Sequence, residues 1–244
     1  MLSKNQIKLI KSLGQKKNRQ QLGLFIVEGI KGISEFLDSD FKLETIYTTK
    51  LIFDAPTASV CEISEADLKK ISTLKSPNTA LAIFKIPEQK QTTETGLIIA
   101  LDAIRDPGNL GTIIRLCDWY GVKDLVCSLN TVDCYNSKVI QATMGSLTRV
   151  NVSYLDLENY LESKGDLVFG TFMNGENIYT TELPNEGVVI LGNEANGISE
   201  TIASKVKRQI TIQQFGSTKP TESLNVANAT AIILSEFRRR TIET

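Results

Sequence analysis

The chain of 244 residues contains no histidine. That absence excludes Ser-His-Asp and Cys-His nucleophiles and histidine acid/base pairs, so any proton transfer must use Asp, Glu, Lys, Tyr, Arg or the substrate itself. Cys61, Cys117, Cys127 and Cys134 include no C-x-x-C pair, and without histidine the usual zinc ligand sets cannot be assembled, so no metal is expected. The cysteines read as reduced core or surface thiols. No apolar run approaches the roughly 18 residues a membrane span needs. The N-terminus has lysines but no apolar signal core, and a cytoplasmic protein without a membrane partner is the expectation. A large net charge is missing too: 27 basic against 28 acidic residues leave −1, which excludes a polycation of the histone kind. Yet no acidic residue precedes Glu28, while Lys4, Lys8, Lys11, Lys16, Lys17 and Arg19 do. This local excess suits phosphates, although a solvated terminal helix would carry the same charges.

What is present, 41% hydrophobic and 23% charged residues, is enough for one large or two modest globular domains. Ile7, Ile10 and Leu13 have helical spacing up to Gly14, and a basic loop is expected after them. Strands are expected at 24–27, 43–48, 60–63 and 79–84, with a helix over 29–37 and another begun by the capping box at Ser64 and running to about Leu74. These alternating elements predict a small α/β domain over 1–86, followed by a polar, aperiodic linker over 87–96. Further strands are expected at 97–101, 124–127, 150–152, 167–171, 187–191 and 209–212, and helices at 110–120, 137–144, 157–163 and 226–240. Strand followed by helix implies a mostly parallel sheet over 97–244.

The stretch Leu97 to Val122 organises this second part. Its β-branched run breaks at Asp106-Pro107-Gly108-Asn109, after which Leu110, Ile113, Ile114, Cys117 and Tyr120 recur at helical spacing. Helical side chains lean toward the N-terminus, so Arg115 reaches over the small residues Gly111 and Thr112 toward the loop, a place that suits an anion. An ordinary surface pair of Arg115 with Asp118 or Asp106 fits the spacing equally well. Gly192 to Gly197 has the glycine spacing of a phosphate-binding loop but lacks its Lys and Ser/Thr, so it is better read as backbone approaching a flat ligand. Ser223 and Asn225 stand where helix caps are favoured.

Taken together, D-x-x-x-D-P-x-N-x-G-x-x-x-R at Asp102 to Arg115, the run Val188 to Ile198 and the run Ser223 to Ala229 resemble, in order, the three motifs of the SpoU (TrmH) family of RNA 2′-O-ribose methyltransferases. The resemblance implies an α/β fold: a mostly parallel C-terminal sheet with helices on both faces and a trefoil knot, preceded by a ribosomal-protein-like RNA-binding domain. It implies S-adenosylmethionine held by backbone near Leu191, Gly192, Asn193, Ile212, Leu224 and Asn225, and catalytic roles for Asn109, Arg115, Glu194, Ser223 and Asn225. RNA, ribosomal or transfer with the leader favouring ribosomal, would be the partner, met by Lys16, Lys17, Arg19, Glu28 and Arg115, the leader matching the family where basic residues precede a strand ending in Glu28-Gly29. A homodimer is also implied, with Ile232, Ile233, Leu234 and Phe237 as interface residues unless core packing claims them. Two departures stand out: Gln213-Gln214 replaces the family's Pro-Met, and 216–222 is longer than usual. The rival readings are a catalytically silent RNA-binding protein of the same fold and a nucleotide-binding α/β enzyme.

Overall fold

Alternation along two short strands decides how the first part of the chain packs. In a computed structural model, which describes residues 2–93, 95–216, 223–239 and 241, the chain divides into two units. Met1–Gln89 joins Asp133–Thr148 in one, and Lys90–Val132 joins Arg149–Thr244 in the other. The elements in chain order are α1 (Lys4–Ser12), α2 (Lys16–Leu22), β1 (Leu24–Glu28), α3 (Ile30–Leu37), β2 (Leu43–Thr48), β3 (Val60–Glu62), α4 (Glu65–Ile71) and β4 (Ala80–Lys85). There follow β5 (Leu97–Leu101), α5 (Pro107–Trp119), β6 (Asp124–Ser128), α6 (Ser137–Thr143), β7 (Asn151–Leu155), α7 (Leu157–Glu162), β8 (Val168–Asn177), β9 (Gly187–Leu191), α8 (Glu200–Ala203), β10 (Arg208–Thr211) and α9 (Val226–Arg239). No helix among the described residues is long and apolar enough to cross a membrane.

The first unit has a four-stranded sheet in the order β1-β4-β2-β3. Because side chains alternate between faces, Ile26, Leu81 and Ile83 join Ile10, Leu13, Leu68 and Ile71 on the face covered by α1 and α4. Phe25 and Phe84, register partners across β1 and β4, point the other way. There Phe25 meets Phe36 of α3 at 5.5 Å and Tyr135 at 4.8 Å between ring centroids. Tyr135 belongs to the segment 133–148, which thus supplies part of the cover for an aromatic face that β1 and α3 alone leave open.

The basic loop expected after Gly14 is instead the helix α2, closed by Gly23 in the left-handed conformation (φ 65°). Arg19 on it is only 2% exposed. Its Nε and Nη2 donate to Asp133 Oδ2 at 2.9 and 2.5 Å, and Nη1 donates to the Leu13 carbonyl at 2.8 Å. This corrects the expectation that Arg19 meets RNA, since a guanidinium enclosed by these partners is not available to phosphate. Glu28 is occupied as well: its carboxylate accepts from the Ser72 hydroxyl and from Thr73 N at 2.9 Å, fixing the end of α4. Lys16 and Lys17 remain exposed.

In the second unit six parallel strands run in the order β10-β8-β9-β5-β6-β7. One face is covered by α7 and α8 through Leu157, Leu161 and Ile202, with Ile198 of the preceding loop. On the other, α5 packs against α9, and Phe237 of α9 meets Phe169 of β8 edge-on at 5.7 Å. Ile233, Leu234 and Phe237 are at most 2% exposed, so core packing claims three of the four residues expected at a dimer interface. The four-residue α8 was not expected, and β8 runs six residues past its expected end at 171.

Removing one partner of a buried ion pair leaves the other charged and unpaired, at a cost of about 3 kcal/mol or more. Arg19→Ala should therefore lower the unfolding free energy measured by urea denaturation by that amount while changing RNA affinity little. Unchanged stability with weakened RNA binding would return Arg19 to the phosphate-binding set.

Candidate active site

β5 and β9 are parallel neighbours with Leu101 opposite Leu191, so the loops that follow them leave the same edge of the sheet side by side. In open α/β sheets this edge is where ligands are bound. Asp102, 6% exposed, fastens the two loops together. Its N–H donates to the Leu191 carbonyl at 2.9 Å and its carboxylate accepts from Ser199 N at 2.8 Å. Ala103 follows in the left-handed region (φ 57°), a conformation costing about 1–2 kcal/mol for a residue with a Cβ. It is held there by its N–H donating to Ser128 Oγ and by Asn193 Nδ2 donating to its carbonyl, both at 2.8 Å.

Asp106 then starts α5, its side chain accepting from Asn109 N at 2.8 Å with Pro107 in the first turn. Asn109 is left on the rim of the helix with its carboxamide projecting. Just before α9, Asn225 Oδ1 accepts from Ala227 N and Asn228 N at 3.0 and 3.3 Å. An amide oxygen spent on a cap leaves only the Nδ2 side to act elsewhere, and Asn225 Nδ2 donates to Asn109 Oδ1 at 2.9 Å. Asn109 Nδ2 must in turn be a donor, and it meets Glu194 Oε1 at 2.7 Å. Three loops, distant in sequence, are thereby joined through one carboxamide. Asn109, Asn193, Glu194 and Asn225 line an open pocket of about 630 Å³ together with Arg105 and Asp106.

Residues 96–235 match the model of the SpoU rRNA methylase family, and residues 4–82 match the MRM3-like substrate binding domain. The chain belongs to the SpoU rRNA methylase family. It is 31% identical over 246 residues to the 23S rRNA (guanosine(2553)-2′-O)-methyltransferase of Bacillus subtilis, covering 97% of each. Among solved structures, a TrmH-family protein from Porphyromonas gingivalis aligns with a TM-score of 0.91 at 37% identity over 98% of this chain and 99% of that one. An AdoMet-bound rRNA methyltransferase from Sinorhizobium meliloti aligns at 0.88 and 29%, over 100% and 97%.

Of the residues singled out from the SpoU motifs, Asn109, Asn193, Glu194 and Asn225 come together in the pocket. Leu191, Gly192, Arg115, Ile212, Ser223 and Leu224 do not line it. Ser223 is exposed, and Leu224 is a half-exposed apolar residue. Residues 217–222, most of the lengthened loop, lie outside the described residues. Arg115 projects into solvent, and both partners of the ordinary ion-pair reading are engaged elsewhere. Asp118 holds Arg149 at 2.9 Å, and Asp106 caps its own helix. Cys117, on the opposite face of α5, is fully buried, and burial pushes its thiol far above the usual range, so it is no thiolate nucleophile.

The sequence argument missed the part played by Asp102 and the reason for Gly192. A Cβ on Gly192 would stand 2.1 Å from the Gly197 carbonyl carbon and the Ile198 nitrogen. The loop closes on itself there, Asn193 N donating to Gly197 O at 2.9 Å and Gly197 N to Asn193 O at 2.8 Å. Gly192 is thus required by the loop's own packing, a reason separate from any approach to a flat ligand. Gly197, at φ 69° with nothing within 4 Å of an added Cβ, is required only by its conformation.

Gly192→Ala should accordingly destabilise by about 3 kcal/mol or more, as overpacking against rigid backbone does, and Gly197→Ala by only about 1 kcal/mol. Equal denaturation midpoints for the two variants would remove the packing explanation.

Proposed function

We propose that this chain transfers a methyl group from S-adenosylmethionine to a ribose 2′-hydroxyl of ribosomal RNA. The observation that carries the reading is the Asn225–Asn109–Glu194 chain of hydrogen bonds, which ties together all three SpoU motifs with every polar atom oriented before any ligand arrives. An RNA binder without chemistry needs no such alignment. The Bacillus subtilis relative, matched along nearly its whole length, is named for this reaction on 23S rRNA, and the Sinorhizobium meliloti neighbour is described with AdoMet bound.

The residues at the sheet edge fit that cofactor. Leu191 ends its strand, Ile212 directly follows β10, and Leu224 stays half exposed beside the capping Asn225. Leu191 is itself buried, so the backbone at these strand ends and the exposed Leu224 side chain are what suit an adenine, and the polar pocket beyond them suits a ribose. When bound, S-adenosylmethionine supplies an electrophilic methyl on a sulfonium. The chain must hold the hydroxyl in line with it and stabilise the negative charge left as the proton departs. Arginine is a permanently charged side chain and a poor base, so Arg115 acts by its charge and by its planar fork on hydroxyl and phosphate oxygens. Asn109 presents an amide whose orientation is already fixed. The trefoil knot belongs to the same proposal. It is supported by the contact of Asn225, which follows β10 in the chain, with Asn109, although β10 stands three places from β5 in the sheet.

The exposed Lys4, Lys8, Lys11, Lys16 and Lys17 supply the first unit's attraction for RNA, and the cytoplasm is the compartment we assign. A homodimer completes the reading. With Ile233, Leu234 and Phe237 consumed by the core, the surface we assign to it is the outer side of α5, where Trp119, the chain's single tryptophan, is 83% exposed close to Arg115. Large exposed aromatic residues are characteristic interface anchors.

Labelled S-adenosylmethionine with unmodified 23S rRNA should give 2′-O-methylated product, and a cofactor concentration a hundred times Kd should add about 2.7 kcal/mol of stability. Arg115→Ala should cut turnover on the order of a hundredfold or more, Arg115→Lys should not restore it, and melting temperature should hold in both because the side chain has no partner to lose among the described residues. An active Arg115→Ala protein would leave the mechanism without its central charge. Light scattering at micromolar concentration should report a dimer that Trp119→Ser shifts toward monomer. A wild-type monomer would dismiss that part of the reading.

A further inference from the structure

The pocket is a hostile place for a polyanion. Asp106 and Glu194 both line it, and Arg105 is the single cation among the described residues that does. The hydrogen-bonding capacity of the other lining groups is largely spent. Asp106 caps α5, Asn109 bridges Asn225 and Glu194, and Asn193 holds Ala103 with its nitrogen and Ala195 and Asn196 with its oxygen. Arg105 is exposed and has no hydrogen bond or ion pair among the described residues. Its backbone is nonetheless fixed. Ile104 before it is fully buried and its carbonyl accepts from Val132 N at 2.8 Å, while Asp106 after it is the helix cap. Five uncommitted donors therefore stand on a rigid mount at the rim of an acid-lined pocket.

We infer that Arg105 grips a backbone phosphate of the RNA adjacent to the nucleotide whose ribose enters the pocket, an assignment that rests on the methyltransferase reading above. A guanidinium pairs bidentately with phosphate oxygens and offsets the two carboxylates that would otherwise repel the strand. Such a contact is present before and during the reaction, so it governs capture of RNA rather than the chemical step.

The test compares Arg105→Ala and Arg105→Lys with the wild-type chain on unmodified 23S rRNA made by transcription. Arg105→Ala should raise KM for RNA about tenfold or more, with kcat at saturating RNA and affinity for S-adenosylmethionine nearly unchanged. Arg105→Lys should recover part of the loss, because lysine binds phosphate as a point charge without the fork. RNA binding measured without cofactor should lose about 0.7 to 1 from the slope of log K against log salt, the signature of one phosphate contact. Unchanged KM and salt slope overturn the assignment, as does a fall in kcat with KM intact. If the wild-type chain transfers no methyl group, the methyltransferase reading fails by itself, while the salt slope still decides whether Arg105 meets a phosphate.

Discussion

Asn109 has one carboxamide, and three loops depend on how it is turned. Neighbouring caps remove its freedom in sequence: α9 needs two amides satisfied, so Asn225 must offer its oxygen to them, and the remaining nitrogen fixes which side of Asn109 accepts. Glu194 is then aligned by the donor left over. In water each such bond contributes only about 1 kcal/mol net, so the chain of amides is a weak reserve of stability. Its value lies in orientation. Groups already aimed before ligand arrives need no reorganisation when charge develops, which is where electrostatic catalysis gains most.

That alignment demands stiff supports, and the fold concentrates its local strain there. Ala103 is held left-handed by bonds on both sides of its peptide, and Gly192 is packed so closely that no other residue fits without movement. Both sit at the ends of parallel strands buried on two faces, where cooperative packing tolerates a cost of a few kcal/mol. The buried Asp102 acts in the same way, joining strand ends through two backbone amides.

Strands such as Leu97–Leu101 and Gly187–Leu191 were legible because β-branched runs between turn residues have few other uses. Asn109, Glu194 and Asn225 were singled out for a different reason: they stand in the three stretches that resemble the SpoU motifs. What escaped was set by distant contacts. The helix α2 has no apolar periodicity to announce it; a left-handed glycine ends it and Asp133, 114 residues away, satisfies its arginine. Likewise nothing local tells that Tyr135 packs on Phe25. Arg19 shows the limit of counting charges, since burial decides whether a cation faces solvent or an aspartate.

The same distinction separates the remaining cations by what they can recognise. Lysines on α1 and α2 are long, flexible and exposed, and each adds attraction to any phosphate it meets, with strength that falls as salt rises. Charges of this kind attract any nucleic acid without choosing a nucleotide. Choice requires a place where most approaches are unfavourable, and a pocket lined by Asp106 and Glu194 supplies the penalty. A register that puts a phosphate on the Arg105 guanidinium is favoured over one that leaves the carboxylates facing the strand's negative charge. Repulsion built into the site thus does as much for specificity as attraction. A chain of net charge −1 can still be a selective reader of a polyanion on these terms.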